Sequence, residues 1–202
     1  MTSAAYRLGS SRAGAEASHA IDPDNRLLWR REPVRLEAQV VRDGILSLAG
    51  LLDSATGGPP VPEPAQGDSR RRSLYFWHSD TSRNVFLATF DDAGVKECYR
   101  REESIVPQQA LALSNARIVH DAARAIADRL SACGEAVADD ATFVVRACEM
   151  LLHRPPTADE AATCAAAIAR WRALDATADG AAAARAHLVW ALFNHTDFVT
   201  LR

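Results

Sequence analysis

Arg154-Pro155-Pro156-Thr157-Ala158-Asp159-Glu160 is the stretch that decides the fold. Two successive prolines end any helix arriving from the N-terminal side, because each lacks a backbone N–H and clashes with the preceding turn. Thr157 and Glu160 then fit a capping box, in which the threonine oxygen accepts from the third backbone N–H of a new helix while the glutamate reaches back to the cap. One helix stops and another starts within seven residues. Upstream, Asp139-Asp140 opens the helix that the prolines close, and its apolar face is Val144, Ala147, Cys148 and Leu151. Downstream, the capped helix carries Ala161, Cys164, Ile168 and Trp171, and after Asp179-Gly180 a last helix presents Leu188, Val189, Leu192 and Phe193. Further back, Pro107 suits a first helical position, and the segment to about Ser131 repeats Leu111, Ile118, Val119, Ala122, Ile126 and Leu130 at helical spacing. Four helices joined by short loops predict a bundle over 107–200.

The first half of the chain is more varied. Leu36, Val40, Val41, Ile45, Leu48, Leu51 and Leu52 form one helical stripe over 33–53, with Glu37, Arg42 and Asp43 on the opposite face. Gly57-Gly58-Pro59-Pro60, Pro62 and Pro64 make 54–70 a loop. Ser73–His78 and Asn84–Phe90 are short aromatic and β-branched runs on either side of the polar Ser79–Arg83 segment, which predicts an antiparallel β-hairpin over 71–92. A lone hairpin is barely stable in water, so it is expected to lie on the helices. The expected fold is therefore mainly α, a helical bundle with a small antiparallel β-hairpin. Residues 33–202 are read as one mainly helical domain, and 1–32 as an N-terminal segment, part of a truncated larger domain, whose Ser-, Ala- and Gly-rich start has little to bury.

With 202 residues, a net charge of −3 and a sequence pI near 6.1, nothing chain-wide favours nucleic acid. No apolar run approaches the roughly 18 residues a membrane span needs. Of 23 basic residues only Lys96 is lysine, a bias spread along the chain, and Arg70-Arg71-Arg72 reads as a solvated strand entry. Met1–Tyr6 has neither the basic nor the apolar region of a signal peptide.

Candidate chemistry is sparse. The four cysteines form no C-x-x-C pair and no C-x-x-C-H, so a zinc ribbon, a thioredoxin dithiol and covalently held haem are unsupported. Cys148 and Cys164 lie on apolar helix faces and read as core. Cys98 sits in a polar loop near Lys96, Arg100 and Arg101, which leaves a reactive thiol and a structural residue both open. No two of the six histidines are three or four residues apart on a helix, so no metal site is expected. His78, at a strand end near Asp80, is a candidate general base with a carboxylate to fix its tautomer; a surface strand-end histidine is the plainer reading. Gly57-Gly58 lacks the Lys-Ser/Thr of a phosphate loop, and there is no G-x-S-x-G.

Several segments taken together resemble the planctomycete-specific domain of unknown function 1553. They are Asp22–Arg30, Arg35–Ala38, Val41-Arg42-Asp43, Gly57-Gly58-Pro59, Arg72–Tyr75, Phe90-Asp91, Cys98, Arg101, Ser104, Val106-Pro107, Gln109-Ala110-Leu111 and Asn115, then Arg154–Thr157 with Glu160, Leu192–Asn194 and Asp197-Phe198. The resemblance covers nearly the whole chain. It departs after Asn115, where Ala116-Arg117-Ile118 replaces the Asp or Ser, Pro or Glu, and Phe usual in the family.

The resemblance implies that the chain is a C-terminal portion of a large exported protein, often one with a second domain of unknown function and a cytochrome c domain upstream. Met1 would then be an internal position, the location extracytoplasmic (periplasmic or cell surface), and any haem would belong to an upstream domain, with no cofactor in this chain. It also implies a polar loop of Asp91, Cys98, Arg101, Ser104 and Gln109 leading into a helix opened by Pro107, an arrangement suited to anions or to tying the hairpin to the bundle. Two functions follow as expectations. One is a non-catalytic structural or binding module whose partners are upstream domains of the same polypeptide and a polysaccharide, with no nucleic acid and no membrane span. The other is part of an active site shared with an upstream domain and acting on an anionic polysaccharide.

Overall fold

In the computed structural model, residues 3–4, 7–96, 104–132, 139–174 and 177–201 are described. Five of the helices follow from the signals above. The 107–131 segment is two helices, α5 (Pro107–Asn115) and α6 (Arg117–Ala132), and after them come α7 (Asp140–Leu152), α8 (Ala158–Leu174) and α9 (Ala178–Phe193). Pro107 does occupy the first turn of α5. The capping box forms as read: Thr157 N–H donates to Glu160 Oε2 at 2.7 Å and Glu160 N–H to Thr157 Oγ1 at 3.3 Å. Asp139 caps α7 by accepting from Thr142 N–H at 2.7 Å.

α6 and α9 pack together at the centre of the bundle, with α2 (Ala38–Ala49) on the far side of α6 and α8 on the far side of α9. Alanines 122, 123 and 127 on α6 and Ala184 on α9 are buried and keep the helix faces smooth enough for close approach. Phe143, Phe193, Ile45, Ile126 and Ile168 are among the largest fully buried side chains and join the helices in one core. α2 ends in a left-handed Gly50 whose N–H returns to the last turn. A Cβ there would stand 3.1 Å from the Arg129 guanidinium, which donates to Leu48 O at 2.6 Å, so glycine is required twice over.

The fold class is mainly α with one small antiparallel sheet, but the strands are not where the sequence puts them. The sheet pairs β1 (Val34–Arg35) with β2 (Thr200–Leu201), the two ends of the helical unit. Over 71–92 there is instead a 3₁₀ turn at Ser73–Tyr75 and a helix, α4 (Val85–Thr89). Asn84 explains the helix: its side chain accepts from Leu87 N–H at 3.0 Å, and helical spacing then buries Leu87 and Phe90 while stacking the Phe86 and Phe90 rings 5.0 Å apart. The aromatic run before it pairs with the proline-rich loop, Trp77 N–H to Val61 O at 2.9 Å and Val61 N–H to Tyr75 O at 2.7 Å. β-propensity reports a surface to pack on, and both segments found a different one.

Four smaller expectations also change. The 33–53 helix is confined to α2, its start being drawn into β1. Arg42, placed on the polar face, is buried on it. The 54–70 loop contains a one-turn helix, α3 (Glu63–Gln66). The break at Ala116 comes with a distant contact: Trp190 Nε1 donates to Ser114 O at 3.2 Å, which gives that terminal carbonyl of α5 a partner without continuing the helix.

Ahead of β1, the helix α1 (Glu16–Ile21) buries none of its residues. The turn after it is fixed by its own side chains. Asp22 accepts from the N–H groups of Arg26 and Leu27, and Asn25, at a positive φ, both donates to Arg30 O and accepts from Arg30 N–H.

Candidate functional site

Of the polar loop implied by the resemblance, the structure brings Asp91, Ser104 and Gln109 together. Asp91 adopts the left-handed conformation that Asp tolerates better than most residues, which turns its carboxylate toward the start of α5. There it accepts from Ser104 N–H at 2.8 Å and from Ser104 Oγ at 2.7 and 2.9 Å. Gln109 Nε2 reaches Ser104 O at 3.1 Å and Asp91 at 3.4 Å, while its Oε1 accepts from the Arg35 guanidinium. The group thus ties α4, α5 and β1 together. Cys98 and Arg101 lie outside the described residues.

His78 is not paired with Asp80, which binds Lys96 at 3.0 Å. It faces Asp92 instead, Nδ1 to Oδ2 at 3.4 Å. The Asp92 side chain is only 2% exposed. Its Oδ1 accepts from Gln39 and from Ala93 N–H, and Arg83 donates to its main-chain oxygen at 3.1 Å. Asp92, Trp77 and Gln66 are the residues that sequence reasoning passed over. The only available signal was the doubled Asp91-Asp92, whose members turn to opposite tasks. Together with the outer face of α2 they line a groove of ≈ 640 Å³.

Two further clusters gather the segments that carry the resemblance. Arg42 reaches under the 69–73 turn and donates to Arg71 O at 3.0 Å, to Ser69 O and to Ser73 Oγ at 3.2 Å, with Phe76 beneath it at 4.4 Å. Burial lowers its pKa, against which the neighbouring Asp43 works. Asp43 completes the turn, accepting from Ser73 N–H at 2.9 Å and Ser73 Oγ at 2.6 Å. Arg71 is not a solvated strand entry. It threads the glycine loop, donating to Gly57 O at 2.6 Å and Ala55 O at 3.3 Å over the ring of Tyr75. At the other end, Arg154 forks onto Glu160 at 2.6 and 2.8 Å and donates Nε to Asp197 at 2.8 Å. Arginine hydrogen bonds, aided by the Thr157 backbone, hold the Glu160 carboxyl well below the usual carboxylate range.

A family model matches residues 1–168, well over half of the chain. The chain belongs to the PSD1 family, proteins of unknown function (DUF1553). No match was found among curated proteins or among solved structures. The PSD1 match embraces the Arg42, Arg71, Asp91 and Asp92 clusters and Glu160, and stops before Asp197.

Among the described residues no group of three or more His, Cys, Asp and Glu is placed to hold a metal ion. No described helix is long and apolar enough to cross a membrane. Cys148 and Cys164 are free thiols on facing parts of α7 and α8; burial, with lesser help from Cys164 and Glu160, pushes the Cys148 pKa up to about 11, and burial raises Cys164 too. Since the thiolate is the nucleophile, both are expected to react with a maleimide or Ellman's reagent at pH 8 at least about tenfold more slowly in the folded chain than in urea. Equal rates, followed by mass spectrometry of the two peptides, would contradict that burial.

Proposed function

We propose that this PSD1 chain is a non-catalytic structural and binding module of a larger extracytoplasmic planctomycete protein, working beside upstream domains of the same polypeptide. The engagement of Asp91 within the chain carries the reading. Both its oxygens are taken up by Ser104, with Gln109 on one of them and Arg35 behind Gln109. A carboxylate whose two oxygens are engaged by its own chain in this way fits a brace better than a group presented to substrate. The extracytoplasmic setting rests on the resemblance to exported multidomain proteins. Against the alternative, a shared active site for an anionic polysaccharide, stands the lining of the groove, in which Glu37, Asp43 and Asp92 accompany a single arginine, Arg72.

Asp91→Ala is expected to cost about 2 kcal/mol, a fall of roughly 4–8 °C in Tm by calorimetry, because it strands Ser104 and Gln109. If instead the variant keeps its Tm and, in the longer polypeptide, abolishes turnover of a sulfated or carboxylated polysaccharide, the shared-active-site reading replaces this one.

A further inference from the structure

The groove between α2 and the 72–93 segment contains two buried acceptors that take no hydrogen bond among the described residues. Asp92 Oδ2 has only the Nδ1 of His78 near it, at 3.4 Å, and Gln66 Oε1 is equally unpartnered. Both residues line the same groove. Buried acceptors without donors are costly, and at a concave surface they point to a ligand that brings donors.

The walls narrow the choice. Trp77 exposes 55% of its surface, and Val40 and Leu74 beside it are also open to solvent. Its main chain is nonetheless pinned on both sides, the N–H by Val61 O at 2.9 Å and the carbonyl by Gln66 Nε2 at 2.8 Å. The backbone that carries the indole is therefore fixed before anything binds, which lowers the cost of ordering the site. A flat apolar face beside unpaired acceptors suits a molecule with a C–H face and outward hydroxyls. An anion meets the Asp92 carboxylate. An organic cation meets Arg72 on the same rim, and the Asp43 charge is already answered by Arg42 at 3.2 Å.

We infer that this groove binds an uncharged saccharide ring, which stacks on Trp77 and donates a hydroxyl hydrogen to His78, beside the unpaired acceptors of Asp92 and Gln66. His78 is the group the ligand touches, and Asp92 is a positioning residue. With Nδ1 on the Asp92 side, 3.4 Å from Oδ2, the imidazole leaves Nε2 for a sugar hydroxyl. The inference rests on the binding half of the function proposed above and supplies its ligand class.

The test is calorimetric titration of the chain with neutral hexasaccharides built from glucose, mannose, xylose and N-acetylglucosamine, beside oligogalacturonate and spermidine. Saturable binding of at least one neutral hexasaccharide is expected, with a Kd below about 1 mM. Trp77→Ala and His78→Ala should each weaken it about tenfold or more. Trp77 is solvent-exposed, so Trp77→Ala should leave the Tm where it is, and His78→Gln, which keeps an acceptor and an amide N–H on the Asp92 side, should restore part of the affinity lost in His78→Ala. Failure of every neutral saccharide, indifference to Trp77→Ala, or preference for oligogalacturonate or spermidine overturns the inference. If the Asp91→Ala result above holds while the titrations fail, only the ligand is wrong; if both fail, the module reading fails with it.

Discussion

Arg42→Ala is expected to lower the unfolding free energy by about 3–5 kcal/mol, the usual consequence of removing one member of a buried charged pair. The side chain is 2% exposed and bonds to Ser69, Arg71 and Ser73 while neutralising Asp43. Alanine would leave the Ser69 and Arg71 carbonyls without this donor and the partly buried Asp43 carboxylate without its counter-charge. In a chain of this length such a loss amounts to a Tm decrease of roughly 6–20 °C, measurable by calorimetry. Arg42→Lys keeps the charge but has no planar fork to span three acceptors, so an intermediate loss is expected. A lysine variant as stable as the parent would show that charge alone holds the turn, and an alanine variant within 1 °C would refute the brace altogether.

Arg154→Ala is the second large change, at about 2–3 kcal/mol, because the arginine links a carboxylate 3% exposed, Asp197, to the partly exposed Glu160. The pair also carries an acid sensitivity whose sign follows from Glu160. Its folded pKa is depressed below its ordinary value near 4.5, so its contribution is complete above that value and fades as pH falls below it, through the lower folded value. Urea midpoints should therefore fall between pH 5 and pH 3 more steeply in the parent than in Glu160→Gln, and the two curves should converge in acid. Parallel curves would mean that the bond to Arg154 does not favour the ionised form.

What the sequence disclosed and what it withheld divide by the distance over which each cause acts. The Thr157–Glu160 box, the Pro107 start and the Asp139 cap depend on three or four neighbouring residues, and each is found in place. The split at Ala116 is accompanied by a contact from Trp190, far along the chain, which no local rule announces. The strands expected over 71–92 were judged on side-chain type, whereas the structure used those side chains to meet Val61 and the core through a capped helix. Arg42 shows the same limit, since a charge on a helix reads as solvated until its acceptors in the 69–73 turn are known. In the candidate site, Asp91, Ser104 and Gln109 came from the resemblance rather than from spacing. Asp92 is hidden beside a more conspicuous neighbour, and the sequence offers His78 the carboxylate of Asp80 whereas the fold brings it to that of Asp92.

The pairing of β1 with β2 bears on how the unit responds to load. Val34 lies against Leu201 and Arg35 against Thr200, and Leu36 N–H donates to Val199 O at 2.9 Å. Because the strands are antiparallel, the backbone enters at 34 and leaves at 201 on the same edge. A pull applied through these two points meets the ladder one hydrogen bond at a time, as in opening a zipper, rather than shearing all of them together. Tension on this polypeptide would therefore peel the short sheet first and reach α2 and the bundle only afterwards, which makes the sheet a low-force latch in front of a tougher helical body.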